Sequence, residues 1–245
     1  MTNVSIEYCR MCGTESIPEE RRKNTANNYA CGNCGATLRY RALAHAYIAH
    51  FASGRANNLR QAIRKGVFDD TKILDFSLRG PTRNLLKKTP NFVNAYFWED
   101  VEIGEEKNGV ICQDITRMTF KDKTFDLVTT TDVMEHVDLP WDGFKEVRRI
   151  LKPGGKYIFT IPIRYPFTDE SITRATLNRK TGKVAHILDP IYHRSGELED
   201  SLVFTDFGSD LFEKLKSIGL ATSFVQTSTY NIDASRFGAF VAVRV

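Results

Sequence analysis

Between residues 72 and 162 the chain alternates short, nearly continuous apolar runs with stretches whose apolar positions recur at helical spacing. Lys72–Phe76, Phe92–Trp98, Gly109–Gln113, Phe125–Thr131 and Gly155–Ile161 read as buried strands. Thr82–Lys88 and Pro140–Leu151 read as helices, with Pro140 suited to a first helical turn. Upstream, Leu43, Tyr47, Ile48 and Phe51 mark a helix over 38–53, and a second helical stretch, Leu59–Lys65, ends at Gly66. Downstream, Asp206–Ile218 reads as a helix stopped by Gly219, and two last strands start near Thr222 and Phe237. The order predicts an α/β fold with a doubly wound, seven-stranded sheet, in which ligands bind at the carboxyl ends of the strands. Residues 163–205 break the pattern: they are polar and irregular, with Asp189-Pro190 and Gly196 as turn signals. A loop of that length inside a domain is usually functional or disordered. This one carries Tyr165, His186, Tyr192 and His193.

Composition adds limits. At 42% hydrophobic and 26% charged residues the chain reads as soluble and globular. No apolar run approaches the roughly 18 residues of a membrane span. The opening MTNVSIEYCRMCG lacks the apolar core of a secretory signal, so a cytoplasmic location is expected. A net charge of +4 permits an anionic partner without demanding one.

Four of the five cysteines lie in the first 34 residues, as Cys9-x-x-Cys12 and Cys31-x-x-Cys34. That spacing is expected of a four-cysteine zinc site. Gly13 and Gly35 follow the two pairs and let the chain turn sharply beneath the sulfurs. Two disulfides or a redox pair are the alternatives; a reducing compartment disfavours the first. With four protein ligands the metal has no open position, so its expected role is structural. The polar stretch EERRKNTANN between the pairs reads as a solvated loop, and Cys112 as a buried structural thiol. Arg39-Tyr40-Arg41, just after the ribbon, reads as a solvent-facing patch or as a nucleic-acid contact.

The stretch FDLVTTTDVMEHVDLP, followed by RRILKPGG, resembles the second half of class I S-adenosylmethionine (SAM)-dependent methyltransferases of the type 11 kind. The cysteine ribbon and the segment His186-Ile187-Leu188-Asp189-Pro190-Ile191-Tyr192-His193 are similar to a branch of that superfamily. The resemblance implies a zinc ribbon over 1–37, a helical link over 38–70, and a Rossmann-like methyltransferase domain over 71–245 with a capping insertion at 163–205. It also implies a cofactor site. Asp114 and Ile115 fall at the adenine, and Asp100 or its neighbour Glu99 at the ribose hydroxyls. Asp75, Phe76, Ser77, Arg79 and Gly80 form the first turn, and Thr131 closes the fourth strand. Ser77, Arg79 and Pro81 stand where the family has glycines. Arg79 is placed to pair with the cofactor's carboxylate.

Methyl transfer needs the acceptor aligned with the methyl group, and an oxygen or nitrogen acceptor needs a base for its proton. Asp132, Glu135 and His136 follow the fourth strand, and His186 and His193 lie in the cap. Of these, Asp132, His136, His186 and His193 are the catalytic candidates. The expected function is methyl transfer to a small-molecule or saccharide-linked acceptor. An RNA methyltransferase that docks through the ribbon and a non-catalytic binding module are the alternatives.

Overall fold

The computed structural model describes residues 7–16, 30–163, 167–195, 198–226 and 238–245. The EERRKNTANN stretch, Tyr165, Gly196 and Phe237 lie outside these residues. Strands β1 (Glu7–Tyr8) and β2 (Glu15–Ser16) pair antiparallel around Cys9 and Cys12. After Cys34 the chain enters α1 (Leu38–Tyr47), which runs on as a π-helical turn, Ile48–Ala52, and then α2 (Leu59–Arg64). In α1, Leu38, Ala42, Leu43, Ala44, Ala46 and Tyr47 are all buried. A helix apolar all round has to be covered all round. One apolar cluster joins α1 to Cys9, Met11 and Cys31 and also to Ile73, Leu127, Ile158 and Val241 of the main sheet. The 38–70 stretch is therefore a packed layer between the cysteine module and the sheet. Tyr47, fully buried, shares a 2.6 Å hydrogen bond with Thr129 inside this contact.

The sheet begins with β3 (Ile73–Asp75), followed by α3 (Pro81–Leu86) and β4 (Phe92–Tyr96). Next come the short β5 (Glu106–Lys107), β6 (Val110–Cys112) and β7 (Phe125–Thr131). A 3-10 turn, Met134–His136, leads to α4 (Pro140–Ile150) and β8 (Leu151–Thr160). The cap holds β9 (Ile172–Thr173), β10 (Ala175–Asn178), β11 (Lys183–His186), β12 (Tyr192–Ser195), β13 (Leu198–Leu202) and β14 (Thr205–Asp206). Helix α5 (Asp210–Ser217), β15 (Leu220–Gln226) and β16 (Gly238–Arg244) close the chain.

The main sheet runs β15-β16-β8-β7-β3-β4-β6-β5. The five strands from β8 to β6 are parallel, and β16 and β15 follow as antiparallel neighbours. All seven expected strands are present. The eighth is β5, which folds back antiparallel on β6 through Asn108-Gly109, both at positive φ (55° and 75°). Asn-Gly is the strongest short hairpin signal, and here it sat at the start of an expected strand. Strand β8 starts at Leu151, earlier than the expected Gly155. A register shift between Phe125 and Leu127 absorbs the Pro153–Gly155 bend. The second core layers Phe144 of α4 on Tyr157 and Phe159 of β8, with Tyr157 and Phe159 stacked at 4.3 Å and Phe159 stacked in turn on Phe240 of β16. Arg244 donates to the carbonyls of Arg148, Arg149 and Leu151, which pins the carboxyl end of α4 to the last strand.

The expectation of an irregular 163–205 segment is overturned. Three antiparallel ladders fill it: β9 with β14, β10 with β11, and β12 with β13. Arg174 holds them together. Nearly buried, it reaches Asp206 at 2.6 Å and the Asp189 carbonyl at 2.5 Å. Its own carbonyl accepts from Ile187 and Leu188. Asp206, expected to open the last helix, is instead a strand residue serving this arginine. Short ladders with mixed polar and apolar faces carry too little periodicity to be read from sequence.

Tyr47→Phe leaves a buried Thr129 hydroxyl without its partner. Urea unfolding should show a loss of about 1–2 kcal/mol. An unchanged midpoint and slope would mean that this bond does not hold α1 to the sheet.

Candidate active site and cysteine cluster

Cys9 and Cys34 lie 3.8 Å apart at sulfur, as do Cys12 and Cys31, and all four sulfurs lie within 4.8 Å of one another. Four thiolates about 2.3 Å from one tetrahedral ion have edges of about 3.8 Å. The two halves repeat each other. Cys9 N–H donates to the Thr14 carbonyl and Gly13 N–H to the Cys9 carbonyl; Cys31 with Ala36 and Gly35 with Cys31 do the same. Gly13 and Gly35 hold positive φ (85° and 69°), which the tight return requires. No disulfide links these thiols. The Cys9 thiol, bonded to Cys34, is held down to about 5, while Cys34 is pushed up by the same bond and by burial. Cys112 is buried in β6 near the Trp98 and Val101 carbonyls.

The carboxyl ends of β3, β4, β6 and β7 lie along one edge of the sheet, where its order reverses between β3 and β7. In the first turn Asp75 is buried and bonded to the Ser77 hydroxyl. Asn94 of β4 donates to the Asp75 and Ser77 carbonyls at 2.8 and 2.9 Å and accepts twice from Arg83, at 2.9 and 2.6 Å. A side chain from the second strand thus fixes a turn that keeps a single glycine, Gly80. Gly80 holds φ 130°, and a Cβ there would lie 2.8 Å from the Tyr40 hydroxyl. Burial pushes Asp75 up to about 7 against the pull of Ser77 and Arg83. Phe76 points into the core.

Glu99 and Asp100 follow β4, exposed, on a cavity of about 380 Å³ that Phe97, Trp98 and Arg117 also line. Asp100 meets Lys107 at 3.5 Å. Asp114 follows β6. One of its oxygens accepts from the Thr116 amide and hydroxyl (2.9 and 2.7 Å) and the other from Arg117 and Arg179 (both 3.1 Å). Burial pushes this carboxyl up, but the Thr116 bonds and the two arginines prevail and hold it below its usual range. Arg179 sits between β10 and β11 and also grips Asp138 at 2.5 and 2.7 Å, so the cap is clamped onto this end of the sheet. Ile115 is buried in the core, and Thr131 is partly exposed at the end of β7 opposite Thr160.

Beyond β7, Asp132 adopts φ 49° and is bound by Thr160 at 2.7 Å and by Arg39 at 2.5 Å. Its oxygens are already committed. His136 and His193 meet edge to face at 5.1 Å, with Glu135 beside them. The His136 Nδ1 lies 2.9 Å from the Leu202 carbonyl, so that nitrogen donates and Nε2 keeps a lone pair. Burial lowers the His136 pKa, and His193 lowers it further, against the pull of Leu202. Burial, and then the charge of Asp132, pushes Glu135 well above the carboxylate range. The structure therefore brings His136 and His193 together. His186 is exposed at the end of β11, outside that cluster. Asn94 and Arg179 escaped the sequence reading, and no local signal marks them.

The Arg39-Tyr40-Arg41 patch is corrected outright. Arg39 pairs with Asp132, Tyr40 packs on Gly80, and Arg41 is only 5% exposed. All three turn inward because α1 is buried on every side.

Residues 93–159, from β4 to β8, match a family described as "Methyltransferase domain". An uncharacterized protein of Methanocaldococcus jannaschii is 46% identical over 55 residues, 22% of this chain and 24% of that protein. One from Mycobacterium tuberculosis is 44% identical over 41 residues, 17% of this chain and 14% of that protein. The matches thus span a quarter or less of these relatives. Among solved structures, an S-adenosylmethionine-dependent methyltransferase from Mesorhizobium loti is similar at 14% identity and a TM-score of 0.45, covering 74% of this chain and 94% of that one. A sugar N-methyltransferase from Streptoalloteichus is similar at 16% identity and 0.46, covering 76% and 85%. The matched segment is about a quarter of the chain and is similar to a methyltransferase domain, and the strand order is that of a Rossmann-like α/β sheet.

Asp75 yields a pH prediction. Its pKa in the folded chain stands above its ordinary value, so its contribution is full below about pH 4 and is lost as pH rises to about 7. Asp75→Asn should remove that loss. Between pH 5 and pH 8 the variant should gain on the wild type by on the order of 2–3 kcal/mol in chemical unfolding. A constant difference would show that Asp75 does not titrate in this window.

Proposed function

We propose that this chain is a SAM-dependent methyltransferase acting on the oxygen or nitrogen of a small-molecule or saccharide-linked acceptor. The observation that carries it is the meeting of His136 and His193 under the cap, at the carboxyl end of β7. Asp114 is the acid for the adenine amine, and Asp100 or Glu99 for the ribose hydroxyls. Arg79 and the first turn take the amino-acid end, with Thr131 beside them. When bound, the cofactor supplies an electrophilic methyl group. The acceptor loses a proton as it gains the methyl, and the His136–His193 pair positions the acceptor atom and receives that proton. A neutral His136 with a free Nε2 lone pair suits this. The inward-turned Arg39 and Arg41 weigh against docking of RNA through the ribbon.

Titration calorimetry with SAM and its demethylated product should show micromolar binding. Asp114→Ala should weaken it at least tenfold, about 1.4 kcal/mol. Binding of neither ligand would bring forward a non-catalytic module. His193→Ala should lower turnover roughly a hundredfold with cofactor affinity nearly unchanged; a loss confined to cofactor affinity would remove it from acceptor chemistry.

The cysteine cluster, in the same reading, holds a structural zinc ion. Cys31→Ser should release about one equivalent of metal and lower the melting temperature, because Cys31 shares its core with α1 and the sheet. A metal-free protein of unchanged stability would refute it.

A further inference from the structure

Glu135, His136 and His193 each offer one ligand-type atom, and the three atoms lie within 4.8 Å of one another. Glu135 is 1% exposed, yet among the described residues neither of its carboxylate oxygens has a hydrogen-bond partner, and neither does the buried Nε2 of His136. Buried polar atoms are nearly always paired, so such orphans inside one close cluster call for an occupant. The two side chains do not satisfy each other. Nε2 and the nearer Glu135 oxygen are 3.7 Å apart, beyond hydrogen-bond range. They are near the separation expected of two ligands on one ion: atoms about 2.1 Å from a shared metal lie about 3.4 Å apart at a tetrahedral angle.

The support around His136 has the same character. Its Nδ1–H is pinned to the Leu202 carbonyl at 2.9 Å. That outer bond fixes the tautomer and ring angle, as it does for metal-bound imidazoles. Neighbouring side chains leave the point open: Asp132 is bound to Arg39 and Thr160, and Arg39 is spent on that pair. The cap completes the set, since β12 brings His193 in beside β13, whose Leu202 holds His136.

We propose that Glu135, His136 and His193 bind a divalent first-row transition ion, at a site separate from the cysteine cluster. Two imidazoles and one carboxylate suit zinc, manganese, iron(II) or cobalt(II) better than magnesium or calcium, which prefer oxygen alone. Three protein ligands leave at least one position for water or for an acceptor's oxygen or nitrogen. With an ion bound, the His136 Nε2 lone pair is committed to it, so the ion's acidification of the acceptor would take the place of proton uptake by His136 in methyl transfer; the site itself stands on its own geometry and does not depend on that reading.

The test is metal stoichiometry on the full chain after dialysis against micromolar zinc, repeated with cobalt(II) for its absorption spectrum. Wild type should hold two equivalents. One cobalt should give the intense thiolate-to-metal bands of a four-cysteine site, and the second only weak d–d bands. Glu135→Gln and His193→Ala should each weaken the second equivalent at least a hundredfold and retain the thiolate-bound one, which reports that the variant is folded. A single equivalent in the wild type, or two that survive both substitutions, would overturn the proposal.

Discussion

Helix α1 has no side to give to water, and much of the molecule is arranged around that fact. Its apolar residues are shared between the cysteine module and the sheet. Three of its polar residues reach toward the sheet's carboxyl edge or the strands behind it: Arg39 to Asp132, Tyr40 to Gly80, and Tyr47 to Thr129. These contacts touch the first turn and the end of the fourth strand, the two places where a class I sheet handles its ligand. The first turn departs most from the pattern of the family it resembles. Tyr40 lies against its one glycine, and Asn94 ties its backbone to the neighbouring strand. Rigidity that other sequences draw from glycine geometry is supplied here by side chains from two other elements. The cysteine module is thereby joined through α1 to the first turn and to Asp132.

The cap works on the opposite side. Arg174 organises its ladders from within, Arg179 clamps it to Asp114 and Asp138, and Leu202 and His193 bring it down on His136. One segment thus touches both Asp114, after the third parallel strand, and the histidine pair after the fourth. Any ligand group that took the Asp114 carboxylate would have to share it with Arg179 of the cap.

The sheet was legible because its signals are local. Phe125–Thr131, rich in β-branched and apolar residues, forms a strand with the expected bounds, and the two cysteine pairs carry their own spacing. The acids after the second and third strands fell at the carboxyl edge for the same reason. What escaped depends on partners far away in the chain. Arg179 and Asp114 are 65 positions apart, and nothing around Arg179 distinguishes it from a solvated turn arginine. Arg39 and Arg41 read as surface residues because arginine usually is one; only the all-round burial of α1 turns them inward. Glu135 was in view as part of an acidic-histidine pair, but the lack of a side-chain partner for its buried carboxylate among the described residues is a property of the folded surroundings alone.

Strand β5 is only two residues long, Glu106 and Lys107, yet it forms one border of the main sheet. Without it, β6 would present Val110–Cys112 as an unpaired, apolar rim. The Asn-Gly reversal folds a charged dipeptide over that rim. A second molecule approaching edge-on then meets opposite charges and a ladder too short to extend. The sheet's parallel end is in this way shielded against strand-to-strand self-association.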